Sequence, residues 1–269
     1  TLTCIYDPAA NTYSVSPVSR GSHDEAAWLK LPDNSILFVD LASRQSERYL
    51  PARNVWVRDD TLPVGLYDVY GREAGAAFLL PDGRAFFIGS TPTTAYYMPS
   101  GNDSPGHWSA GPVIPDSLGA PDAAAAMMAN GKILCAFSHT PVRGDTFPAP
   151  TYFYEFDYLS NTFTKVSAPT GGDTLGCQSY ATAMLDLPDG NVLFTTLNSR
   201  DYYLYQPGGS QLASGKPVID SIIATDCNHL MMAGRLFNGI SQGADYGDDW
   251  QMPTNYPIIR FWKDNDLDG

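Results

Sequence analysis

The chain has 269 residues, 43% of them hydrophobic, and a formal net charge of −13. The acidic balance argues against nucleic acid and anionic membrane surfaces as partners, since both attract basic proteins. The hydrophobic fraction is ample for a buried core, and no apolar run is long enough to span a bilayer, so we expect a globular chain without membrane insertion.

The N-terminal segment, residues 1–19, predicts a hairpin with strands at 2–6 and 12–15 around an Asp-Pro turn. It is typical of the outer half of a propeller blade whose inner half is absent. The chain opens without an initiator methionine. We therefore expect a processed or trimmed N-terminus.

The strongest local signal is the stretch 75–89, in which two apolar runs flank Pro81-Asp82-Gly83. Short hydrophobic runs around an Asp-Gly pair predict a β-hairpin. Neither run alternates with polar residues, which indicates strands buried on both faces.

This hairpin signal recurs with turn residues Asn34, Gly131 and Gly190, at intervals of about 50 residues. A second hairpin follows in each repeat, marked by Asn-Thr-aromatic turns such as those at Asn11 and Asn161. Two hairpins make a four-stranded sheet, and such sheets repeated around an axis form a β-propeller. The predicted fold is thus an all-β propeller over 1–215, with a half-blade at 1–19 and blades at 20–64, 70–115, 119–169 and 177–215.

The Leu-Pro-Asp-Gly hairpins with Asn-Thr-aromatic turns resemble the kelch-type propellers of the galactose oxidase/glyoxal oxidase superfamily. The tail, LFNGISQGADYGDDWQMPTNYPIIRF, resembles the start of the immunoglobulin-like domain that follows the propeller in secreted proteins of this kind. The resemblance implies a seven-bladed ring, of which the N-terminal blades are missing from this sequence. It also implies an extracellular location and, over 216–269, the beginning of an immunoglobulin-like β domain.

Copper-radical chemistry in that superfamily needs a tyrosine cross-linked to a cysteine, a Tyr-His pair and a further histidine. None of the four histidines follows a tyrosine, and Ser179-Tyr180-Ala181 stands where the oxidases carry Tyr-His. We therefore do not expect copper and assign no catalytic residue.

Polar residues precede the first strand of each predicted blade, where the innermost strands of a propeller begin. They are predicted to converge at one mouth and to bind a ligand there. These residues are His23, Asp24, Glu25, Arg72, Glu73, Asp122, Gln178 and Tyr180. The alternative is that they bond to one another and to ordered water, which would plug the channel.

Two smaller features concern cross-links and metals. Cys177 and Cys227 lie in loop-like segments and are the expected disulfide among four cysteines. Asp264, Asp266 and Asp268 match D-x-D-x-D-G, the opening of a calcium loop, although the same residues also make an ordinary polar turn.

The predicted function is an extracellular, non-catalytic module that binds glycan or protein through the propeller face. One alternative is an enzyme, either a copper-radical-like oxidase or a glycan-acting hydrolase with Asp24 or Glu25 opposite Asp122 or Glu73 across the mouth. The other is a surface-layer or filament subunit that assembles with another chain.

Overall fold

The structure, a computed structural model, describes residues 3–40, 42–240, 244–246, 250, 251, 259 and 261. Within them the protein is all-β, with antiparallel pairing throughout and three short 3-10 helices at Pro115–Ser117, Ser179–Ala181 and Ala213–Gly215. No helix in this described part is long and apolar enough to cross a membrane.

The strands form meandering sheets in chain order. An N-terminal hairpin pairs β1 (Cys4–Asp7) with β2 (Thr12–Val15). The first sheet contains β3 (Trp28–Lys30), β4 (Ile36–Asp40), β5 (Gln45–Leu50) and β6 (Val55–Thr61). The second sheet contains β7 (Ala77–Leu79), β8 (Ala85–Ile88), β9 (Thr94–Met98) and β10 (His107–Ala110).

The third sheet contains β12 (Ala124–Met127), β13 (Ile133–His139), β14 (Tyr152–Asp157) and β15 (Thr162–Val166), and the short β11 (Leu118–Gly119) pairs with β13. The fourth sheet contains β16 (Thr182–Asp186), β17 (Val192–Thr196) and β18 (Tyr203–Tyr205). A C-terminal hairpin pairs β19 (Val218–Ala224) with β20 (Leu230–Arg235). Further on, β21 (Ala244–Tyr246) pairs with β12, and β22 (Trp250–Gln251) pairs with β21.

The predicted hairpin turns are confirmed, and all four have the same geometry. In the second sheet, the amide of Gly83 donates to the carbonyl of Leu80, and the amide of Leu80 donates to the carbonyl of Arg84. Gly83 has a φ of +86°, a left-handed conformation that glycine adopts without strain. The same two bonds recur at the turns that hold Asn34, Gly131 and Gly190.

Successive sheets pack face to face along the chain. We call the face that meets the following sheet the forward face and the opposite one the rear face. The forward face of the first sheet, with Leu29 and Leu37, shares a buried cluster with Phe87 and Trp108 on the rear face of the second sheet. Phe86 on the forward face of the second sheet stacks on Phe156 of the third, with 4.4 Å between ring centroids.

The third and fourth sheets meet in the same way. Phe153 on the forward face of the third sheet contacts Phe194 on the rear face of the fourth, with ring centroids 5.3 Å apart. The first strands of successive sheets are also neighbours, because β3 lies beside β7 and β12 lies beside β16. The first strands of these sheets therefore lie on the same side of the row of sheets.

The predicted blade segments 20–64, 70–115, 119–169 and 177–215 each contain one of the four sheets. Their division from a separate domain at 216–269 stays a prediction. The described part of that tail is the C-terminal hairpin with two short strands, and most of 241–269 lies outside the described residues.

Candidate functional site

The leading segments, which precede the first strand of each sheet, lie side by side in three of the four sheets. The amide of Asp122 donates to the carbonyl of Ala74, 3.1 Å away, and so joins the second sheet to the third. The Ser179 hydroxyl lies 3.5 Å from the carbonyl oxygen of Pro121 and 3.0 Å from the Ser138 hydroxyl, which brings in the fourth sheet.

His23, the first of the predicted mouth residues, packs on the rear face of the first sheet. Its ring lies 3.8 Å from that of Phe38, 4.8 Å from Trp28 and 5.1 Å from Trp56, measured between centroids. Burial lowers its pKa to about 4, so the imidazole is neutral at physiological pH. Both ring nitrogens are buried and bond to none of the described residues. His23 is thus placed as a packing residue on aromatic rings.

The other seven predicted mouth residues differ in exposure. Asp24, Arg72 and Gln178 are exposed, Glu25, Asp122 and Tyr180 are half-buried, and Glu73 is buried. The Tyr180 ring contacts Phe147, with centroids 4.7 Å apart. None of the three cavities described below is lined by any of the eight. Their role in binding a ligand stays a prediction.

The predicted disulfide is not formed in this structure, in which Cys177 and Cys227 are free thiols. The two residues belong to different regions, because Cys177 precedes the fourth sheet beside Thr151, whereas Cys227 lies in the exposed turn between β19 and β20. Asp264, Asp266 and Asp268 lie outside the described residues. Elsewhere in the described part of the chain, no group of three or more acidic, histidine or cysteine side chains could hold a metal ion.

The candidate site is a cleft at the opposite end of the third and fourth sheets, where their first hairpins turn. We call it the Asp186 cleft. It has a volume of about 570 Å³. Met127 and Met128 of the third sheet, Asp186 and Leu187 of the fourth, and the segment 211–217 form its walls.

The segment 208–217 is held against the third sheet by two hydrogen bonds. The amide of Leu212 donates to the carbonyl of Ala129 at 2.9 Å, and the side-chain amide of Asn130 donates to the carbonyl of Gly208 at 2.9 Å. This wall of the cleft is therefore hydrogen-bonded to the third sheet.

Asp186 ends β16 on the rear face of the fourth sheet. Among the described residues that line the cleft it is the acidic one, and Lys216 is the basic one. Its Oδ1 is buried and accepts no hydrogen bond from the described residues. Burial raises the pKa of this carboxyl to about 7. A group that changes charge near neutral pH inside a cleft is a frequent feature of functional sites.

Sequence reasoning missed Asp186, although one signal was available. In the repeat, Asp186 takes the place of Leu79 in the second sheet and Met127 in the third, as the strand pairings show. The first sheet has Lys30 at this position, so the signal is an acidic residue at a position that two of the other three sheets fill with an apolar one.

Two further cavities lie elsewhere in the described part of the chain. One of about 120 Å³ lies between the third and fourth sheets and is lined mostly by apolar residues, among them Phe153, Phe194 and Tyr203. Another of about 440 Å³ lies near Asp33 and Arg53, between the turns of the first and second sheets.

No protein-family model matches the chain, and no curated protein is similar to it in sequence. Similar solved structures are β-propeller proteins. The virginiamycin B lyase of Staphylococcus aureus has 10% identity and a TM-score of 0.49, over 80% of this chain and 65% of that one. A catalytically inactive variant of it, solved with quinupristin, gives 10% and 0.50 over 92% and 78%. A streptogramin B lyase gives 11% and 0.47 over 88% and 70%.

At these identities the likeness shows the fold alone, and this chain spans 65% of the length of the first of these structures. The resemblance to kelch-type propellers of the galactose oxidase superfamily is wrong, because the similar structures are propellers of a different family. Nor do the comparisons support an immunoglobulin-like domain, secretion or carbohydrate binding.

Proposed function

We propose that this protein is a propeller-based recognition module, and that its Asp186 cleft binds a peptide segment of a partner protein through a lysine or arginine side chain. The observation that carries the proposal is the buried Asp186 oxygen without a donor among the described residues. A buried carboxylate is stable when it is paired, so this oxygen suits a cationic donor from a ligand.

The lining favours a peptide over a sugar. Met127, Met128, Leu187, Leu212 and Ile240 provide apolar contacts for neighbouring side chains of a peptide. Sugars stack well on aromatic rings, and the described residues that line the cleft include none. The net charge of −13 also draws cationic partners toward the surface. We place this binding outside the cell, in keeping with the acidic, lysine-poor composition.

Binding can be measured by fluorescence anisotropy with a library of labelled hexapeptides that each contain one lysine or arginine among aliphatic residues. We expect members that bind wild-type protein to lose affinity about tenfold or more with Asp186→Asn, which keeps the shape and removes the charge. Replacing the basic residue of the peptide by glutamine should cause a loss of similar size. Affinity should rise between about pH 5.5 and about pH 8, because ionisation of Asp186 strengthens the pair.

Asp189→Asn is the matched control, since Asp189 is an exposed carboxylate in the turn that follows Asp186 in the same hairpin. It should leave the affinity unchanged. Equal losses for both variants, or binding that does not depend on the basic residue of the peptide, would refute the proposal.

General acid–base catalysis is a second function, favoured by one observation. A carboxyl with a pKa of about 7 can both accept and release a proton at neutral pH. In that case mass spectrometry would detect a product formed from a bound peptide by wild-type protein and none formed by Asp186→Asn. Unchanged peptide after prolonged incubation leaves the recognition function in place.

A further inference from the structure

The fourth sheet exposes a face that the other three sheets bury. Directly paired residues of the first three strands form a triplet on each forward face: Leu29, Leu37 and Arg48; Phe78, Phe86 and Tyr96; Ala126, Leu134 and Glu155. All nine are buried, at no more than 9% exposure. In the fourth sheet the triplet is Leu185, Leu193 and Leu204, of which Leu185 is 37% and Leu204 57% exposed.

The third member of each buried triplet also bonds to the next sheet. Arg48 donates to the carbonyl of Ser104 in the second sheet. The Tyr96 hydroxyl donates to Asn161 of the third sheet at 2.7 Å, and Glu155 accepts from the Tyr205 hydroxyl of the fourth at 2.9 Å. The position thus marks the contact between one sheet and its successor, and Leu204 occupies it in the fourth sheet.

The rear faces that cover these triplets share an aromatic residue at one position of the third strand. It is Tyr97 in the second sheet, Phe156 in the third and Tyr205 in the fourth, each paired with the corresponding residue of the preceding strand. The pairing of Ile36 with Tyr49 gives the first sheet the same feature.

The rear face of the first sheet is only partly covered by the residues that the structure describes. His23 lies over Phe38, while Ile36, Tyr49 and Trp56 remain half-exposed. Trp56 packs on Tyr49, with centroids 5.4 Å apart, and its indole nitrogen is buried without a hydrogen-bond partner in the described residues. The first sheet therefore retains an aromatic surface of the kind that covers a forward face elsewhere in the chain.

We propose that the forward face of the fourth sheet docks on the rear face of the first sheet of a second copy of this chain. This contact between copies repeats the interface that joins successive sheets inside one copy. It buries the leucine triplet against Ile36, Tyr49 and Trp56. Because two different surfaces meet, the contact is heterologous and either closes a ring of copies or extends a filament.

The test is sedimentation of the whole chain from about 1 to about 100 µM. We expect wild-type protein to associate, with Leu204→Asp and Tyr49→Asp each raising the dissociation constant about tenfold or more. The decisive experiment mixes the two variants. One unaltered interface remains between them, so the mixture should form a pair of one copy of each.

Leu159→Asp is the matched control. Leu159 is an exposed leucine, at 75% against 57% for Leu204, and lies in the turn between β14 and β15 of the third sheet, so its replacement should leave association unchanged. Circular dichroism and thermal melting show whether each variant is folded, and Trp56→Arg can replace Tyr49→Asp if that variant is not. A wild-type protein that stays monomeric throughout, or variants that do not pair when mixed, would overturn the proposal.

Discussion

Replacing Arg48 by methionine is expected to lower the free energy of unfolding by about 3–5 kcal/mol. The guanidinium is fully buried and pairs with Asp59, whose side chain is also fully buried, and with Asp33 at 3.1 Å. It also donates to the carbonyls of Asn102 and Ser104. Methionine preserves most of the volume but leaves the Asp59 charge without its partner, which is the costly outcome. Urea denaturation followed by tryptophan fluorescence measures the loss.

Arg53→Met supplies the comparison, since Arg53 pairs with Asp103 while both side chains are more than half exposed. It should cost about 1 kcal/mol or less, because water screens such a pair. Adding Asp59→Asn to Arg48→Met should recover part of the lost stability by removing the unpaired charge. Similar costs for Arg48→Met and Arg53→Met would contradict the assigned role of Arg48.

The second large effect is expected from Gly119→Ala, which should destabilise the fold by about 3 kcal/mol. Gly119 lies in β11, where the third sheet passes close to the second. A Cβ at this position would overlap the backbone carbonyl of Ser90. Neither segment can move freely. The Ser90 amide donates to the carbonyl of Leu66, and the amide of Ala120, which follows Gly119, donates to the carbonyl of Gly89. Thermal melting measures the change.

Gly176→Ala is the control, because a Cβ there meets no atom within 4 Å. It should change the melting temperature by about a degree at most. If Gly119→Ala were equally neutral, the close approach of the second and third sheets would not exist as described.

The sequence was sufficient for the hairpins and the repeat, for a local reason. A turn with Asp82 and Gly83 specifies its geometry within five residues, and the same chemistry recurs at the turns around Asn34, Gly131 and Gly190. The same locality explains the wrong family. Turn residues predict a hairpin, but hairpins of this kind occur in propellers of unrelated families and do not distinguish between them.

The candidate site depended on packing between sheets, which the turn pattern does not encode. His23 was expected at an open mouth, yet the aromatic rings of Trp28, Phe38 and Trp56 surround it. Asp186 belongs to an ordinary strand and became a candidate because the third and fourth sheets leave a cleft at their turns. A single sequence shows which faces are apolar but not where two of them separate.

The most direct test of the Asp186 cleft is a pH titration of the Asp186 carboxyl carbon by NMR, with Asp186→Asn to identify its resonance. A folded-state pKa above the unfolded value means that the folded protein keeps this proton longer. The contribution of protonated Asp186 to the stability of the folded protein is present below about pH 4 and is lost as the pH rises through about 7. We predict a midpoint of about 7. A midpoint of about 4, the value of a solvated aspartate, would contradict the proposed function, which rests on a buried carboxyl with no donor among the described residues.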